Sequence, residues 1–128
     1  MFEAPGVWDS RGHIRRQDRI NKGRLEQFQA LAPSRPAGRV AEIVASDRLF
    51  GVDANAAYAE AWSLAFFLVE TQPRKFTQYL SLTARRGAFE PYSAADRLAD
   101  FSSVFGDDLR MLESRFLRFM ADVASGAW

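Results

Sequence analysis

The run from Ala54 to Glu70 is apolar on nearly every side of a helix. Tyr58, Ala61, Trp62, Ala65, Phe66 and Val69 share one face, and Leu64, Phe67 and Leu68 occupy much of the remaining circumference. Such a helix is stable in water only if other elements enclose it, and Asp53 stands just before it as a good N-cap. The rest of the chain must therefore supply a surround. With 128 residues and 48% hydrophobic side chains it can, since a chain of this size buries roughly two-thirds of its unfolded surface. Eleven Phe, three Trp and three Tyr at a formal net charge of +1 are the reverse of a disordered composition.

The surround reads as helical. Ile20, Leu25, Phe28 and Leu31 allow an amphipathic helix from Gln17 to Ala32, ended by Pro33, Pro36 and Gly38. A short helix from about Arg39 to Ala45 buries Val40, Ile43 and Val44, and Leu49 and Phe50 then lead, as a connector, to the breaker Gly51. Beyond the central run, Pro73 suits a first helical position, and Phe76, Tyr79, Leu80 and Thr83 repeat at helical spacing until Gly87. Ser93 with Asp96 resembles a capping box before Leu98, Phe101, Val104 and Phe105, and Gly106 stops that helix. Asp107 and Asp108 favour a further amino terminus, after which Leu109, Leu112, Phe116, Phe119 and Val123 continue in 3-4 spacing, with the final SGAW fraying. No strand alternation exceeds four residues. The expectation is an all-α, compact bundle of about five to six helices in one domain, 1–128, with residues 1–16 irregular around Pro5, Gly6 and Gly12, and a helical core at 17–124.

Much chemistry is excluded. With no cysteine and His13 as the single histidine, neither a thiolate site nor a multi-histidine metal site can be assembled from this chain alone. His13 reads as a surface or loop residue. Glycine-rich phosphate loops and serine-nucleophile elbows are missing. The carboxylates are spread over helix caps and exposed positions and read as solvated faces. Arg11, Arg15, Arg16, Arg19, Lys22 and Arg24 against Asp18 give a local charge of +5, but the chain as a whole is nearly neutral and lacks aromatic interleaving in the basic stretch. A solvated face or intramolecular partners for Arg15, Arg16 and Arg19 are expected rather than nucleic acid. No run reaches the ~20 apolar residues of a membrane span, and Glu3 and Asp9 stand where a signal peptide needs a basic start and an apolar stretch. The chain as given reads as soluble, with no targeting signal to fix a compartment. Two Lys among 17 basic residues, with abundant alanine, hint at a GC-rich bacterial source.

Several stretches resemble a known group. AYAEAWSLAFFLVE (Ala57 to Glu70), KFTQYL (Lys75 to Leu80) and FSSVFGDDLRMLESRFLRFM (Phe101 to Met120) are similar to the carboxy-terminal helical part of bacterial gluzincin-type, peptidase-MA-like zinc metallopeptidases, including a related family of unknown function. Phe2-Glu3 is similar to the pair closing that group's "EGLAxYFE" stretch, and Asn21 to Leu25 resembles its "N-x-x-RL" segment. The likeness runs from the first residues to about Val123.

In those families the HExxH helix and the glutamate giving the third zinc ligand lie upstream of the equivalent of Phe2, and this sequence contains neither. The resemblance therefore implies a helical subdomain that walls a substrate cleft and is inactive alone, with no cofactor of its own. Zinc is expected only in an upstream metal-binding domain of the same protein, and a peptide is the implied substrate. Met1 would then be an internal methionine or the start of a shortened gene. The aminopeptidase branch also places an oxyanion-donating tyrosine early in the helix after the zinc region, and Tyr58 holds the similar position. A phenol is a neutral donor that can be aimed where charge develops. The bland alternative packs Tyr58 in the core with its hydroxyl satisfied locally.

A different class of function stays open: a free-standing α-helical protein-interaction module without catalysis, for which Trp8, Trp128 and the basic segment are candidate anchors. If a catalytic half is missing, the face that met it should remain as a concave or apolar patch, lined by Tyr58 and the first fourteen residues.

Overall fold

A computed structural model describes residues 19–86 and 91–126. Among them there is no strand, and the helices are α1 (Lys22–Leu31), α2 (Arg39–Ala45), α3 (Arg48–Val52), α4 (Ala54–Thr71), α5 (Pro73–Ala84), α6 (Ala94–Phe105) and α7 (Leu109–Ser125), with a 3-10 turn at Ala32–Ser34. The all-α expectation holds, with seven helices rather than five to six. The first sixteen residues, Gly87 and Trp128 lie outside the described residues.

The central run behaves as its composition requires. α4 is flanked by α1, α2, α3, α5 and α7, and eleven of its eighteen residues are buried. Trp62 stacks on Phe66 at 5.0 Å, and Phe67 meets both Phe116 and Phe119 of α7 at 5.7 and 5.3 Å. Phe116, fully buried, also touches Phe28 of α1 at 5.4 Å. Offset and tilted aromatic pairs of this kind add to the stabilisation that burial gives. α6 completes the body by packing on α2 and α5, where Tyr79 lies edge-on to Phe101 at 5.4 Å.

Helix starts follow side-chain chemistry. Asp53, Ser93 and Asp108 each accept from a backbone N–H three residues on, satisfying a donor that the first turn leaves open. The helix expected from Gln17 to Ala32 is interrupted at Asn21, and α1 begins at Lys22, because Asn21 is extended (ψ 100°) and its side chain accepts from the Arg24 N–H at 3.1 Å; Gln17 lies outside the described residues. The expected connector at Leu49 to Gly51 is in fact α3. Gly51 does not break it, since its φ is not positive and packing supplies what propensity lacks: Leu49 is buried with Ile43 and Ala57. Gly126, at φ 78°, takes the left-handed turn that ends α7, so the helix persists to Ser125 where fraying was expected.

Candidate functional site

Tyr58 lies on the second turn of α4, where α1 and α3 meet that helix. It is 41% exposed and so is not packed inside the core. The Phe50 ring of α3 stands edge-on to it at 5.0 Å, and the Arg24 guanidinium of α1 lies 5.1 Å from its ring centre. A cation over one part of the ring and an aromatic edge against another fix the phenol's orientation without engaging its hydroxyl. Val52, the last residue of α3, is 72% exposed. The first fourteen residues, expected to line the same side, lie outside the described residues, and so does His13.

The carboxylates do not all sit on solvated faces as the sequence reading had it. Glu60 is 5% exposed, and the Arg35 side chain, 4% exposed, donates to it through Nε at 2.9 Å and Nη2 at 2.7 Å. Arg35 Nη1 reaches Glu113 of α7 at 3.3 Å. Glu113 also accepts from the backbone N–H of Gly38 (2.9 Å) and Val40 (3.0 Å), at the amino end of α2. One guanidinium thus joins the segment after α1, the middle of α4, α7 and the start of α2. Helix amino termini favour negative charge, so Glu113 is held from two directions. A cavity of about 190 Å³ lined by Ser34, Arg35, Arg39, Asp53 and Glu60 adjoins the pair.

Burial by itself would raise the Glu113 carboxyl. The N–H groups of Val40 and Gly38 and the Arg35 guanidinium outweigh that effect and hold it below the usual glutamate value. A carboxylate lowered in the folded state contributes stability above its unfolded value, ~4.3, and loses it as pH falls through the folded value. Melting temperature is therefore expected to fall steeply below about pH 4, and less steeply in Glu113→Gln, which gives up part of that stability at neutral pH. Equal acid slopes for the two proteins would contradict this assignment.

A second charged cluster clasps α5 and α2 to α6. Arg86 and the Tyr92 hydroxyl both donate to Asp100 Oδ2, at 2.9 and 2.8 Å, and Arg97 donates to the Val44 carbonyl and to Asp47 at 3.0 Å each. Partial burial, followed by the bond to Asp100, pushes the Tyr92 phenol up to about 12, which keeps it protonated. Two arginines of the basic segment are also engaged internally: Arg19 makes a two-pronged pair with Glu70 at 2.8 and 2.6 Å, and Arg24 donates to Gln27 at 3.0 Å. Among the described residues no three of His, Cys, Asp and Glu stand together as metal ligands would. No described helix is long and apolar enough to cross a membrane.

A family described as "Protein of unknown function (DUF1570)" matches residues 1–90. The chain belongs to that family. No curated protein and no solved structure matches. The DUF1570 match contains Tyr58, Phe50, Arg24 and the Arg35–Glu60 pair. It ends before α6 and α7, so Glu113 and the FSSVFGDDLRMLESRFLRFM stretch lie outside it. Arg35 and Glu113 were not singled out as site residues by the sequence reading. The available signal was Glu60, an acid inside a helix that is otherwise apolar and therefore in need of a buried cation.

Proposed function

We propose that this chain is the helical subdomain of a zinc-metallopeptidase-like protein, walling a peptide-binding cleft and placing Tyr58 at its edge. The observation that carries the reading is the setting of Tyr58: an exposed phenol on an early turn of a buried helix, its ring fixed by Phe50 and Arg24. Support also comes from the likeness of AYAEAW and the later helical stretches to gluzincin-type enzymes. In this role the phenol would donate to the oxygen that gains charge as a peptide carbonyl is attacked, a position where a preorganised neutral donor is most effective. The cluster on Arg35 would keep α4 fixed relative to α2 and α7. The metal, its ligands and the general base would come from an HExxH-bearing domain outside these 128 residues.

The test is the zinc content of two purified products, one of residues 1–128 and one of the complete reading frame. Stoichiometric zinc in the longer product and none in the shorter supports the proposal. A reading frame without HExxH overturns it. The exposure of Met111 (50%) and Leu117 (36%) on α7 favours the second reading, an interaction module without catalysis.

A further inference from the structure

α7 carries a feature that the peptidase reading does not use. A groove of about 450 Å³ runs between it and α2, with Ala37, Gly38 and Ala41 on one wall and Leu109, Arg110 and Leu117 on the other. The α7 wall follows the row Arg110, Ser114, Leu117, which spans about 10 Å, two helical turns. The facing wall is made of small residues, so a third backbone can approach to the 8–10 Å at which helices pack.

The charges around the groove are unequal. Its carboxylate, Glu113, is spent on Arg35 and on the N–H groups of Gly38 and Val40. Glu42 on α2 is held by Arg39 at 3.0 Å. Arg110 lines the groove and Arg118 lies one turn beyond Ser114. Both are exposed, and neither forms an ion pair among the described residues. Arg110 therefore offers the groove a cation outside any ion pair above an apolar floor, with Arg118 further along α7.

We propose that this groove docks an amphipathic helix of a partner protein, its apolar residues spaced i, i+3 or i+4, and i+7, and flanked by Asp or Glu. The leucines of such a helix would lie along Leu109, Ala41 and Leu117, and its acids would meet Arg110 and Arg118. The inference goes beyond the peptidase reading and stands whether or not the chain serves an enzyme. Fixed apolar anchors with a complementary charged rim are the general design of helix-in-groove recognition.

The test titrates the 15N-labelled chain with a synthetic peptide of ~14 residues, long enough to form a helix, carrying a two-turn leucine stripe flanked by glutamates, and with its lysine-flanked counterpart. Amide shifts confined to residues 37–41 and 109–118, seen with the acidic peptide only, are the expected result. Arg110→Glu should weaken binding about tenfold and Leu117→Asp should abolish it, each with the melting temperature retained because both side chains are exposed. No response at about 1 mM acidic peptide overturns the proposal, as does an equal response to the lysine peptide. Shifts at the same residues when the protein alone is diluted would assign the groove to a second copy and overturn it too.

Discussion

Arg35→Ala is expected to destabilise the fold by about 3–5 kcal/mol, because the guanidinium is the counter-charge of a carboxylate that has almost no contact with water. Glu60 is 5% exposed and takes its side-chain hydrogen bonds from Arg35. Without them the buried carboxylate must draw in water or break the packing of α4. Glu113 would lose less, since Gly38 and Val40 still donate to it. The loss is a large part of the total stability of an ordinary domain and should lower the melting temperature by roughly 10–20 °C. Urea unfolding followed by circular dichroism measures it. A buried pair replaced on both sides by apolar residues of similar size is often close to neutral, so Arg35→Met with Glu60→Met should cost less than Arg35→Ala alone. A double variant less stable than the single one would show that the cluster contributes net stability and is not merely costly to break.

Phe116→Ala is expected to cost a further and comparable amount, about 3–5 kcal/mol, by opening a cavity at the centre of the aromatic packing. Its ring is fully buried between Phe28 of α1 and Phe67 of α4, and the Arg35 guanidinium lies 5.7 Å from its centre. The contact with Arg35 makes the two effects non-additive. The double variant Arg35→Ala with Phe116→Ala should fall short of the summed single losses, whereas strict additivity would mean that the ring does not support the cluster. Leu117→Ala, one residue along α7 but exposed, should change stability by no more than about 0.5 kcal/mol.

How much of this was legible depended on whether the cause lay nearby in the chain. Caps at Asp53, Ser93 and Asp108 act over three residues, and their donors were identifiable from spacing alone. The enclosure of α4 followed from its composition. α3 was missed because Gly51 and a five-residue length argue against a helix, and only contacts made by Leu49 with Ile43 and Ala57 sustain it. Asn21 was passed over because the apolar pattern continues through Ile20, although its side chain sets where α1 begins. The buried cluster pairs Arg35 and Glu113 with partners 25, 73 and 78 positions away in the chain, and nothing in local periodicity pairs them. Of the candidate site, Tyr58 was named from likeness. Its fixing by Phe50 and Arg24 required the three helices to be placed.

The functional account rests on the Tyr58 hydroxyl acting at a zinc centre, and the steady-state kinetics of the complete gene product against its Tyr58→Phe variant test it most directly. Phe50 and Arg24 hold the ring and not the oxygen, so the variant should keep its fold, its zinc and its KM. The expected result is zinc-dependent peptide hydrolysis with kcat lowered about 10²–10³-fold in Tyr58→Phe. The same kcat in both proteins, or no hydrolysis by either, would contradict the account.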